Sequence, residues 1–159
     1  MGIVKRTCWM DADGIPQDLE VIKEEIIKYS ENGGTIFVGA DSMLDSKICS
    51  FASVIAFHDQ DQDVAKYYYK KVKSREVKYV DVKLKILEEV NLAIQCAHFV
   101  ITVCPDARLE LHVDIGTKKS NLTSRFYSLV KGWVNGLGFN LKVKPDSWAS
   151  SSIADWHTK

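Results

Sequence analysis

The chain has 159 residues, enough to bury one substantial core but not comfortably two. Lys plus Arg (21) balance Asp plus Glu (21), so no overall field draws the molecule to nucleic acid or to an anionic membrane, and any such partner has to be met by a local patch. No apolar run approaches the roughly 20 residues of a bilayer span, the N-terminus lacks the apolar core of a signal peptide, and Cys8, Cys49, Cys96 and Cys104 have none of the paired spacings of zinc or redox motifs; the expectation is a soluble, cytoplasmic protein with reduced thiols, no membrane partner and one domain over residues 1–159.

Residues 1–32 are expected to be an N-terminal tail and an accessory helix. Asp11-Ala-Asp13-Gly14 has too few ligand positions for a calcium loop. Pro16 opens an amphipathic pattern through Leu19, Ile22, Ile26, Ile27 and Tyr29 that stops at Asn32-Gly33-Gly34. The next run, Thr35 to Ser42, is rich in strand formers and delivers Asp41 into a turn. That acid either favours the turn through hydrogen bonds to backbone or belongs to a site.

Strands are predicted over about 35–41, 47–57 and 64–73, joined by the short polar turns Leu44-Asp-Ser46 and His58 to Asp63, and such short connections imply antiparallel pairing. From Tyr79 the period turns helical, with Ile86, Leu87, Val90, Ala93, Ile94 and Ala97 in one stripe. Phe99 to Val103 reads either as the end of that helix or as a short strand. Arg108 to Asp114 is the fourth strand by its alternation of Leu109, Leu111 and Val113 with polar residues. A helix starting near Ser120 puts Leu122, Phe126, Leu129, Val130, Trp133 and Leu137 on one face, Phe139 to Val143 is the fifth strand, and Ser150 to Trp156 lies in a final short helix. Three antiparallel strands followed by strands reached through helices give an α/β fold with a mixed sheet and helices on its faces.

Gly39-Ala-Asp-Ser42, Leu111-His-Val-Asp-Ile-Gly116, Lys144-Pro-Asp146 and Ser151 to Lys159 resemble the signature segments of the YkuK-type group of predicted RNase H-like nucleases, over residue 33 to the last. The resemblance implies an RNase H-like fold with a five-stranded mixed sheet. It also implies hydrolysis of phosphodiester bonds by a carboxylate-held pair of Mg²⁺ or Mn²⁺ ions, hard cations that prefer oxygen ligands. Asp41 and Asp114 stand side by side if their strands are neighbours, as that fold places them.

The resemblance calls for a third acid on the crossover helix, where Glu88 and Glu89 are adjacent. At about 100° per residue, Glu89 falls about 100° from the centre of the apolar stripe and Glu88 about 160° from it, so Glu89 borders the sheet while Glu88 faces solvent. The fourth acid is taken to be Asp155 in the last helix, with Asp146 as the alternative, otherwise a helix N-cap. His112 is expected to be a packed or hydrogen-bonded residue, Ser42 to orient a carboxylate or a water, and His157 has no assigned role.

Lys118, Lys119 and Arg125, with Ser120 and a helix start beside them, form a candidate phosphate cradle after Asp114. Two functions follow: a metal-dependent nuclease on RNA, DNA or a hybrid, or a catalytically silent RNase H-like module that binds nucleic acid or protein. The sequence leaves the choice of nucleic acid, endo- or exonucleolytic action and oligomeric state open.

Overall fold

The computed structural model describes residues 8–59, 64–115, 126–144 and 146–159. In chain order its elements are strands β1 (Trp9–Asp11) and β2 (Pro16–Gln17), helix α1 (Leu19–Glu31), strands β3 (Thr35–Asp45), β4 (Ile48–His58) and β5 (Val64–Ser74), helix α2 (Val82–Val103), strand β6 (Arg108–Val113), helix α3 (Tyr127–Gly136), strand β7 (Asn140–Lys142), a π-helical segment Ala149–Ala154, and helix α4 (Asp155–Thr158). The strands form one mixed sheet in the order β2-β1-β5-β4-β3-β6-β7.

The sheet therefore has seven strands rather than five. The two added strands come from the stretch expected to be a tail: β1 and β2 pair antiparallel, and Met10 and Asp11 pair with Tyr69 and Tyr68 of β5. Asp11 closes the hairpin, its Oδ1 accepting the backbone N–H groups of Asp13 and Ile15 at 3.0 Å each, so the Asp-rich tetrapeptide serves a turn. Pro16 belongs to this hairpin, and α1 begins only at Leu19.

The β3–β4–β5 meander matches the antiparallel expectation, with strands of 11 residues each. Ser46, at a φ of 55°, takes the left-handed position in the two-residue turn between Asp45 and Ile48. β3 runs on to Asp45, so Asp41 lies inside the strand, opposite Ala52 of β4, rather than in a turn. The crossover through α2 then lays β6 parallel to β3, from Thr35↔Arg108 to Ala40↔Val113, and β7 follows parallel to β6. Phe99 to Val103 is the end of α2. By length and apolar composition α2 could cross a bilayer, yet Ile86, Val90, Ala93, Ile94, Ala97 and Val100 are buried as a core face.

Helices cover both faces of the sheet. Ile22 and Ile26 of α1, the apolar face of α2 and Val130 and Val134 of α3 share one core with Ile36, Val38, Ala40, Ile55, Phe57 and Leu111. Ala149 and Trp148 pack on the opposite face against Phe37, Val54 and Ala56. The phase expected for α3 is wrong: Val130 and Val134 point inward while Leu129, Trp133 and Leu137 are exposed. The helix start expected near Ser120, with Lys118, Lys119, Ser120 and Arg125, falls outside the described residues.

Candidate functional site

Alternation along β3 sends neighbouring side chains to opposite faces of the sheet. Val38 and Ala40 join the core with α2, whereas Phe37 packs under the C-terminal helix. Ser42 continues the first set, and its hydroxyl donates to Oε1 of Glu89 on α2. Asp41 continues the second, and its carboxyl comes beside that of Asp155, the first residue of α4. The register Ala40↔Val113 makes Asp41 and Asp114 the next rung of the parallel ladder. β6 stops at Val113 while β3 goes on, so Asp41 has a paired strand on one side and an open edge on the other.

Asp41, Glu89, Asp114 and Asp155 thus come from four elements to the carboxyl ends of β6 and its β3 ladder. Their charges act on one another. Asp41 is buried at 7% exposure, and its pKa is pushed up to about 8, first by desolvation and then by the charges of Glu89 and Asp114 and the carboxyl of Asp155 beside it. Glu89, 5% exposed, is raised to about 7 by burial, with Asp114 adding to the rise and the Ser42 hydrogen bond and Lys85 opposing it. Crowded, desolvated carboxylates of this kind hold protons that free ones would release.

Asp114 is only partly buried, and Nζ of Lys144 lies 3.3 Å from its Oδ1. That oxygen is itself buried and accepts no hydrogen bond from the described residues, so the contact is an ion pair without hydrogen-bond geometry. The Lys144 N–H bonds the carbonyl of Ile115 at 3.0 Å, which ties the turn after β7 to the residue next to Asp114. Among the described residues, no three His, Cys, Asp or Glu side chains form a ready-made metal-ligating group. The acids are instead linked through Glu89, Asp114 and Asp155 acting on Asp41. Their chemistry still fits a hard divalent cation, since every donor is a carboxylate oxygen and Oδ1 of Asp114 is left without a hydrogen-bond donor.

Glu88 is half-buried rather than fully in water, and burial raises its pKa. Glu89 is the deeper of the two, drawn in by Ser42 beyond what the helix phase alone predicts. Asp146 is exposed in the turn before the C-terminal helix, its N–H bonded to the Val143 carbonyl at 2.8 Å. His157 stacks on Tyr69 with ring centroids 3.6 Å apart and shares a 3.0 Å hydrogen bond with the Tyr67 hydroxyl. His112 is 1% exposed, its pKa pushed down to about 4 chiefly by burial, and its Nδ1 accepts the Ala149 N–H at 3.1 Å. Sequence reasoning missed Lys144 as a partner of Asp114; the signal lay in the segment Lys144-Pro-Asp146, read only for its acid.

The family model described as Ribonuclease H-like matches residues 17–159. No curated protein and no solved structure matches the chain significantly. The match begins at β2 and runs through the antiparallel meander, the α2 crossover and the parallel strands that carry Asp41 and Asp114; the chain belongs to the Ribonuclease H-like family.

Proposed function

We propose that the protein is a Mg²⁺- or Mn²⁺-dependent nuclease that hydrolyses phosphodiester bonds in RNA, DNA or a hybrid, that it falls in the YkuK-type group, and that it works in the cytoplasm. The observation that carries this reading is the gathering of Asp41, Glu89, Asp114 and Asp155 from separate parts of the chain at one end of the β3–β6 ladder, with Asp41 and Glu89 both buried there. Ion pairs between surface groups do not need that arrangement. Buried like charges are costly to a fold unless the site uses them.

Asp41, Glu89, Asp114 and Asp155 would hold the cations, which when bound supply Lewis-acid activation of water and stabilisation of the leaving oxygen. The chain's own groups have separate tasks. Ser42 holds the Glu89 carboxylate in one orientation by donating to Oε1. Lys144 counters the charge of Asp114. Where no cation balances the acids, the proton that Asp41 retains relieves their repulsion. Lys118, Lys119, Ser120 and Arg125, which follow Asp114 closely in the sequence, would meet the phosphate backbone.

The test is a screen of labelled single-stranded, duplex and hybrid nucleic acids with Mg²⁺ or Mn²⁺, comparing wild type with Asp114→Asn. The wild type should cleave at least one of them, and the variant should fold yet cleave at least a hundredfold more slowly. A protein that binds nucleic acid, ignores Mn²⁺ and cleaves nothing would instead be the silent RNase H-like module.

A further inference from the structure

The C-terminal helix meets the sheet on one rung of the β3–β6 ladder. Gly39 and His112 are register partners there, two positions before Asp41 and Asp114. On the His112 side, Nδ1 accepts the N–H of Ala149, the first residue of the π-helical segment. On the Gly39 side the backbones approach so closely that a Cβ would stand 3.0 Å from the Ser150 nitrogen and 3.2 Å from the Ala149 carbonyl carbon. Trp148 closes the contact, its ring centroid 4.6 Å from that of Phe37 and 5.2 Å from that of His112.

A buried position that needed only volume would be filled by Phe or Leu without desolvating a polar ring. What the imidazole adds is an acceptor. The first N–H groups of a helical segment have no partner inside it, and one buried without a bond is costly. His112 supplies that bond at one point, and with Gly39 leaving no slack beneath, the helix has a single rotation and height. Asp155 follows six residues later on the same stretch of helix, where α4 packs on β3 and brings it beside Asp41.

We propose that His112 is a positioning residue: by accepting the Ala149 N–H over the Gly39 gap it sets Asp155 against Asp41. Its consequence for metal binding rests on the nuclease reading above, whereas its consequence for the helix does not.

The experiment compares His112→Phe, which fills the space without an acceptor, with His112→Asn, whose Oδ1 restores one. Amide hydrogen exchange is measured over residues 149–155 and over β3 and β6, and Mn²⁺ affinity by calorimetry. His112→Phe should speed exchange in 149–155 by at least tenfold while the strands keep wild-type rates, and weaken Mn²⁺ binding roughly 10- to 100-fold, the range for groups that orient ligands. His112→Asn should recover most of both. In an Asp155→Asn background, His112→Phe should weaken Mn²⁺ binding no further. Gly39→Ala, which lifts the same helix from the other half of the rung, should speed the same amides and serves if His112→Phe does not fold. Unchanged exchange in 149–155, or an equal further loss of Mn²⁺ affinity in the Asp155→Asn background, overturns the proposal. A wild type that binds no Mn²⁺ refutes the nuclease reading instead, and the exchange rates then decide the role of His112 alone.

Discussion

Raising the pH of the metal-free protein should unfold it more easily, and Asp41 should be the main reason. Its pKa is about 8 in the folded chain against 3.8 for the free side chain. A carboxyl with a raised pKa keeps its proton when folded and has lost it when unfolded, so stability falls across the window between the two values and is flat outside it. One proton costs about 1.4 kcal/mol per pH unit in that window, so going from pH 6 to pH 8 removes about 3 kcal/mol through Asp41. Glu89, at about 7 against 4.5, removes about 1.4 kcal/mol more between pH 6 and 7. At about 2–4 °C per kcal/mol for a chain of this size, the Tm in EDTA should drop by on the order of 10 °C. Circular dichroism melts at pH 6, 7 and 8 measure it directly. Asp41→Asn should lose roughly two-thirds of the drop and melt above wild type at pH 8 in EDTA. Millimolar Mn²⁺ should restore the wild type at pH 8 by binding only the folded state, and do so less for the variant. A wild-type Tm indifferent to pH in EDTA, or equal slopes in the two proteins, would refute the crowding of these carboxyls.

Glu89→Gln should weaken Mn²⁺ binding by tenfold or more and Glu88→Gln by less than threefold, because Glu89 is the buried one, held by Ser42 and close enough for its charge to act on Asp41; equal losses in calorimetry would contradict this. Gly34→Ala should cost about 1–3 kcal/mol in urea unfolding, the usual cost of overpacking, since its Cβ would stand 2.5 Å from the His58 carbonyl oxygen and 3.0 Å from that of Tyr29. Its Mn²⁺ affinity should match the wild type, because Gly34 lies at the far end of β3 from Asp41.

The long strands were legible because Thr35 to Ser42 and Ile48 to Phe57 are rich in apolar and β-branched residues, and the parallel β6 followed from a helical crossover between two strands. Strands of three and two residues carry no period, so the hairpin of Trp9 to Gln17 read as a tail. Glu89 was separable from Glu88 by helix phase, but its depth depends on Ser42, 47 residues away in sequence. Ser150 to Trp156 reads as an ordinary helix, whereas its first part is a wider π turn lying against Gly39 and His112, a contact that local pattern does not encode. Lys144 was missed for a related reason: ion pairs between distant segments leave no local periodicity.

The N-terminal hairpin also bears on how the molecule avoids its own kind. A bare β5 would offer an edge of 11 residues, with Tyr67, Tyr68 and Tyr69 at its middle, as a template for strand addition from another copy. β1 takes the hydrogen-bonding positions at Tyr68 and Tyr69, and Lys66, Lys70, Lys71 and Lys73 charge the remainder. The border of the sheet is thereby moved to β2, two residues long and starting with a proline that has no N–H to offer, while β7 on the opposite border has three. Among the described residues the outermost strand on each side is therefore a short one, and the middle of β5 is not left bare.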